Sequence, residues 1–176
     1  MKKSVWMGIG ISNGYVSILK SLHERLDDKG YEKILFILAD EIDEAYNNRK
    51  RKQLVEDLFN IASKITIKGA VIRVEKWSYI SKKRKFSKIL SKFKNLYKNN
   101  GDFKKRVNII VKKNICFMAS NELINRSNYV LGELAAINYF SSKEIVKIGL
   151  KKNEEIFDNL AHDFPIVKEI KTENFL

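Results

Sequence analysis

Three groups of residues in this 176-residue sequence have types and spacings that could do chemistry. The first is Ser12, which follows Gly8-Ile9-Gly10-Ile11 and precedes Asn13-Gly14. A serine at a strand-to-helix turn can cap the helix by accepting a hydrogen bond from a backbone N–H. The same turn presents those N–H groups to a developing oxyanion, and a glycine such as Gly10 lets a carbonyl substrate approach the backbone, so Ser12 could also hold an acyl group as an ester. Position alone leaves both roles open. The second group is Tyr129 and Glu133, four residues apart in Asn128-Tyr129-Val130-Leu131-Gly132-Glu133-Leu134. On a helix they share one face, otherwise apolar, where a phenol and a carboxylate could bind an ammonium group and accept its proton when the amine becomes a nucleophile. A boundary tyrosine beside a solvated glutamate would have the same spacing.

The third group is a run of charge. Residues 82–113 contain thirteen of the chain's 34 Lys and Arg but one of its 21 acids, Asp102, leaving 21 basic and 20 acidic residues elsewhere. Almost all of the net charge of +13 therefore lies in one stretch. Several Lys and Arg that neutralise a polyanion release its condensed counterions, which is the main source of non-specific nucleic-acid affinity. A nucleic acid is the partner this distribution implies.

Other chemistries find less support. Gly8-Ile9-Gly10 begins like a dinucleotide fingerprint, but Asn13 stands where the third glycine belongs, and there is no phosphate-cradling P-loop motif. No ATP, NAD or other cofactor is expected. One cysteine, Cys116, and two histidines make neither an internal disulfide nor a recognisable zinc site, and the flanking Ile115 and Phe117 suggest a buried thiol. No run approaches the roughly 18 apolar residues of a membrane span, and the N-terminus does not read as a signal sequence, so a soluble, cytoplasmic protein is expected.

Elements able to position these groups are legible in the hydrophobic pattern. Residues 5–11 form an apolar run that breaks at Ser12-Asn13-Gly14, after which Val16, Leu19, Leu22 and Leu26 recur at helical spacing. Residues 34–39 are continuously apolar, and residues 45–62 predict a charged amphipathic helix with Leu54, Leu58 and Ile61 on one side. Residues 70–74 and 145–150 read as further short strands. Continuously apolar strands alternating with helices indicate a parallel sheet covered on both faces, a Rossmann-like α/β fold in one domain over residues 1–176. Within the basic block, Phe86, Ile89, Leu90, Phe93 and Tyr97 mark an amphipathic helix, which Asn99-Asn100-Gly101 ends before a second helix over about residues 102–118.

Taken together, these residues resemble the tRNA-dependent cyclodipeptide synthases. In that family the first strand ends in a glycine, an aliphatic residue and the serine nucleophile, followed shortly by Asn and an aromatic residue, and Gly10-Ile11-Ser12-Asn13-Gly14-Tyr15 is a shortened form of this motif. The family's Tyr-Val-x-x-Glu-Leu element is similar to Tyr129-Val130-Leu131-Gly132-Glu133-Leu134. Asp40, Tyr46, Arg49 and Arg51 resemble an Asp, Tyr and Arg-rich segment, and the basic helix lies where the family places its tRNA patch. Near the C-terminus, Ala161 occupies the apparent position of a tyrosine that usually helps cyclisation, which leaves His162 as its substitute.

The resemblance implies a three-layer fold similar to the class I aminoacyl-tRNA synthetase catalytic domain, although no HIGH-like or KMSKS-like element occurs. It implies a ping-pong reaction that uses two aminoacyl-tRNAs per turnover and no ATP. An aminoacyl-Ser12 and then a dipeptidyl-enzyme would form before release of a diketopiperazine. Gly10, Asn13 and Tyr15 would bind substrate, Tyr129, Glu133 and His162 would assist catalysis, and Lys82, Lys83, Arg84, Lys85, Lys88 and Lys92 would hold tRNA phosphates. The competing reading is a non-catalytic RNA-binding α/β domain that stacks bases on Phe86, Phe93 and Tyr97. A serine hydrolase is disfavoured by the missing G-x-S-x-G elbow. Neither the two amino acids joined nor the oligomeric state is legible.

Overall fold

The first apolar run forms β1 (Lys3–Ile9), the middle strand of a sheet in a computed structural model that describes residues 3–40, 49–113, 120–141, 145–149, 160–167 and 172–174. Four more strands, β2 (Tyr31–Leu38), β3 (Val71–Lys76), β4 (Val146–Gly149) and β5 (Thr172–Asn174), complete it in the order β3-β2-β1-β4-β5. Every pairing is parallel. This is the strand order of a Rossmann-type sheet, and its direction of winding reverses between β1 and β4.

Successive strand residues point to opposite faces of a sheet. Val5, Trp6 and Met7 are nevertheless all buried, as are Phe36, Ile37 and Leu38, so both faces are covered. On one face Val5, Met7, Ile9, Ile34, Phe36 and Leu38 join residues of three helices, α1 (Asn13–Lys20), α2 (Leu22–Leu26) and α3 (Arg49–Ser63), in a single core. On the other, Trp6 is 3 % exposed and carries the Lys147 ammonium 5.5 Å from its ring centroid.

Three elements differ from their expected extent. Strand β1 stops at Ile9, leaving Ile11 in the turn. The helical spacing that runs from Val16 to Leu26 spans two helices, because the Ser21 hydroxyl donates to the Ile18 carbonyl oxygen at 3.1 Å and competes with the backbone ladder there. Strand β3 continues past Val74 through Glu75 and Lys76, since an edge strand tolerates polar residues. The short helix α4 (Trp77–Ser81) and β5 carry no pattern that sequence reading could use. Residues 45–48 of the expected charged helix, 114–118 of the helix expected over 102–118, and Cys116 with its expected burial lie outside the described residues.

The chain divides into two compact units, one of Met1–Ser81, Glu144–Leu150 and Thr172–Leu176, which holds the sheet, and one of Lys82–Lys143 and Lys151–Lys171. The second unit is helical. Helix α5 (Arg84–Asn99) and helix α6 (Gly101–Lys113) meet at Asn100, whose N–H bonds to the Leu96 carbonyl oxygen at 2.8 Å and closes α5. The Asn100 side-chain oxygen accepts from the Phe103 N–H at 2.9 Å and opens α6. Both helices pack on α7 (Ser120–Ser141).

Aromatic contacts fill that core. Phe86 meets Tyr139 edge-on at 5.8 Å between centroids, Phe93 stacks on Phe103 at 6.3 Å, and Phe103 meets Phe164 edge-on at 5.0 Å. None of the helices among the described residues is long and apolar enough to cross a membrane. Because Phe93 is wholly buried, Phe93→Ala removes a large ring from a packed interior and should cost about 3 kcal/mol or more of stability. Lys92→Ala, on the exposed side of the same helix, should change it by less than about 0.5 kcal/mol; denaturant unfolding monitored by circular dichroism compares the two.

Candidate active site and basic surface

Ligands of open parallel sheets bind beyond the carboxyl ends of the strands at the point where the winding reverses. Here the loop after β1 occupies that position, and Gly10, Ile11 and Ser12 are that loop. Its base is held by the Ala39 N–H, which donates to the Ile9 carbonyl oxygen at 2.9 Å. Next to it, Asp40 accepts from the Ser78 N–H at 2.9 Å and from the Ser78 hydroxyl at 2.6 Å, which fastens the end of β2 to the start of α4. The resemblance drew attention to Asp40, and its carboxylate is occupied by these two bonds. Tyr46 lies outside the described residues, while Arg49 and Arg51 fall in the first turn of α3.

Ser12 is the residue before α1, with extended backbone angles (φ −150°, ψ 158°), in the position of a helix cap. Its side chain nevertheless makes no capping hydrogen bond and is exposed. The turn is instead closed by the backbone, where the Ser12 N–H donates to the Gly10 carbonyl oxygen and the Tyr15 N–H to the Ser12 carbonyl oxygen, both at 3.1 Å. Of the two roles open to this serine, the capping role is therefore not the one its hydroxyl performs. Asn13 is exposed beside it, at the start of α1.

The reason for glycine at position 10 is Tyr15. A Cβ on Gly10 would lie 2.8 Å from Tyr15 Cε2, inside van der Waals contact, so the half-buried ring packs directly over the glycine. Sequence reading assigned that space to an approaching carbonyl; the structure fills it with a residue five positions along the chain. The substrate-side roles expected of Gly10 and Tyr15 thus begin from a mutual contact that shapes the loop.

In the second unit, Tyr129 and Glu133 share one face of α7, as their spacing required. Val130, Leu131, Gly132, Leu134, Ala135, Ala136 and Ile137 around them are buried, whereas Tyr129 is 40 % exposed and Glu133 half-buried. A phenol and a carboxylate at the rim of an apolar wall can hold a cationic amine between them. His162 belongs to a helical turn over residues 160–163, with its side chain 89 % exposed and its Nδ1 3.2 Å from Asp163 Oδ1. The Asp163 carboxylate also pairs with Arg106 at 2.5 Å. Ala161 is half-buried next to it.

The expected phosphate-binding residues cluster at the start of α5. Lys83 is its N-terminal flanking residue and Arg84 its first residue; Lys82, Arg84, Lys85, Lys88 and Lys92 are exposed and Lys83 is half-buried. The first turn contains no acid. A helix N-terminus already carries partial positive charge that favours anions, so stacking four cations there is unfavourable unless an anion is bound. Phe86 and Phe93 are fully buried, which overturns the stacking role that the RNA-binding alternative assigned to those two; Tyr97 is half-buried, and its hydroxyl donates to Asn108 Oδ1 at 2.8 Å.

The Gly10 and Tyr15 contact is open to a double-mutant test. Gly10→Ala should destabilise by about 1–3 kcal/mol through overpacking, and most of that cost should vanish in a Tyr15→Ala background. Denaturant midpoints of the four proteins in this cycle measure the coupling directly.

No protein-family model and no curated protein sequence matches the chain. Solved structures do. A cyclodipeptide synthase from Bacillus thermoamylovorans superposes with a TM-score of 0.70 at 16 % identity, over 98 % of this chain and 87 % of the other. One from Staphylococcus haemolyticus gives 0.65 at 16 % identity, over 98 % and 89 %. A Mycobacterium tuberculosis protein described as showing that cyclodipeptide synthetases are related to type I tRNA synthetases gives 0.61 at 14 % identity, over 77 % and 66 %. The reversal of the sheet at β1, with Ser12 directly beyond it, thus stands within a Rossmann-like fold, and that fold is the one of the cyclodipeptide synthases.

Proposed function

We propose that this protein is a tRNA-dependent cyclodipeptide synthase in which residues 1–176 act as one catalytic domain with Ser12 as the nucleophile. The observation that carries the reading is the Ser12 hydroxyl, which sits at the sheet's ligand-binding end in a helix-cap position yet makes no capping bond. The shared fold and the ordered motifs around Ser12 and Tyr129 add support.

In the first half-reaction, Ser12 Oγ attacks the aminoacyl ester of one charged tRNA, and the terminal ribose oxygen of that tRNA leaves with the proton. The Asn13 and Gly14 N–H groups open α1, where no helical carbonyl precedes them, and they stabilise the tetrahedral oxyanion. Asn13 and Tyr15 contact the bound aminoacyl group. The amine of aminoacyl-Ser12 then displaces the second tRNA from its ester, which forms a peptide bond and leaves a dipeptidyl-Ser12. Finally the free amine of the dipeptide attacks the Ser12 ester, closes the diketopiperazine ring and returns the serine hydroxyl. Each ester supplies its own activation, so the cycle needs no ATP, and its substrates place it in the cytoplasm.

The resemblance assigns Tyr129 and Glu133 to the ammonium group, with Glu133 accepting its proton before each attack. His162, in contact with water, exchanges protons with solvent during cyclisation. Lys82, Lys83, Arg84, Lys85, Lys88 and Lys92 hold the acceptor stem by its phosphates, which carries no sequence information, so the choice of amino acids lies in the side-chain pockets.

Incubating the protein with a mixture of charged tRNAs and analysing the products by mass spectrometry tests the reaction. A cyclic dipeptide should form, and Ser12→Ala should abolish both it and the covalent aminoacyl-enzyme while tRNA still binds. Glu133→Gln should lower the rate by about 10²–10⁴-fold. His162→Ala should slow cyclisation selectively, with dipeptidyl-enzyme accumulating and added imidazole restoring turnover. Salt-sensitive tRNA binding with no product from any charged tRNA would leave a non-catalytic RNA-binding domain.

A further inference from the structure

The lysines of the helical unit are not one patch. At about 100° of rotation per residue, Lys85, Lys88 and Lys92 fall within a stripe about 60° wide on α5. Lys94 and Lys98 are about 40° apart from each other and centred about 130° from that stripe, across the helix's exposed surface. All five are exposed. One side of α5 therefore continues from its cationic N-terminus, and the other leads elsewhere.

Where it leads is set by Tyr97. This residue borders the buried arc of α5 on the side from which Lys94 and Lys98 continue, and its hydroxyl is bonded to Asn108 of α6. The Lys104 ammonium of α6 lies 5.8 Å from the same ring. Asn108 in turn marks the side of α6 on which Lys104, Lys105 and Lys112 stand, within a sector about 100° wide, and all three are exposed. The single acid of the two helices, Asp102, falls outside this sector, about 60° beyond Lys105 and next to Arg106, which is occupied by Asp163. Lys94, Lys98, Lys104, Lys105 and Lys112 thus form a second cationic surface that bridges two helices, joined at Tyr97, with no acid of α5 or α6 between them.

Five exposed like charges held together by the packing of two helices repel one another unless a polyanion neutralises them. A nucleic acid meets that requirement through its evenly spaced phosphates. We propose that this α5–α6 surface binds the phosphate backbone of tRNA beyond the acceptor stem, while the α5 N-terminus and the Lys85, Lys88, Lys92 stripe hold the stem itself. The inference rests on the tRNA-dependent reading above and names a second region that grips the same partner. It makes the protein sensitive to the body of tRNA as well as to its aminoacylated end.

The experiment compares full-length tRNA with a minihelix that contains only the acceptor stem, in equilibrium binding across a salt series. The variant is Lys94→Gln/Lys98→Gln/Lys105→Gln, which spares Lys104 and its place over Tyr97, and a matched thermal melt verifies folding. Full-length tRNA should bind this variant about 10–100-fold more weakly, with its salt slope reduced by roughly two to three, about one for each phosphate no longer neutralised. Minihelix affinity should not change. Lys85→Gln/Lys88→Gln/Lys92→Gln should weaken both ligands alike. If the first variant weakens minihelix and tRNA equally, or weakens neither while the wild type binds both, the second surface is disproved and the tRNA reading survives. If the wild type binds neither RNA, the tRNA reading itself falls, and this inference with it.

Discussion

Strand β1 is paired along both edges and buried on both faces, and the remainder of the first unit is arranged around that constraint. Its backbone groups bond to β2 on one side and β4 on the other, and Trp6 and Met7 are enclosed on opposite faces. A strand so enclosed can emerge only at its ends. The carboxyl end emerges where the sheet reverses its winding, so the next residues, Gly10 to Ser12, lie in the crevice that parallel sheets leave open. The Ala39 to Ile9 bond and the paired bonds from Ser78 to Asp40 tie the neighbouring strand ends to the same level. An exposed serine on a loop gains precision from this kind of rigid base.

The two units use charge and apolar surface differently. Around the sheet, acidic and basic residues are mixed, whereas α5 sets an apolar face of aromatic and aliphatic residues against a surface rich in lysine. Its N-terminus gathers cations where the helix dipole prefers anions. Such an arrangement lowers the stability of the isolated helix and raises its affinity for phosphate, so packing on α7 must supply the stability. The fully buried Phe86 and Phe93 are the means. Their burial also keeps these two rings from serving as a base-stacking platform.

Helix α7 is the counterpart. From Val130 to Ile137 it is buried nearly all round, with Glu133 the exception and Tyr129 exposed one turn before it. A helix enclosed on almost every side has little amphipathic signature, and its two polar residues are conspicuous because everything near them is apolar.

Much of this was determined by the sequence alone. Continuous apolar runs located β1, β2 and β4 to within a few residues, the 3.6-residue period located α5, Asn100-Gly101 marked its junction with α6, and the lone acid among thirteen basic residues pointed to a polyanion. These are local properties, since a strand or helix face is written into neighbouring residues. The tertiary structure decided what depends on contact between elements. It set the strand order that puts Ser12 at the reversal, left the Ser12 hydroxyl out of the cap it is placed to make, and broke the first helix at Ser21. It also gave Gly10 its reason in the ring of Tyr15 and divided the lysines between two surfaces around Tyr97. Periodicity records which side of an element is apolar, but the group that comes to rest against that side is known only once the chain has folded.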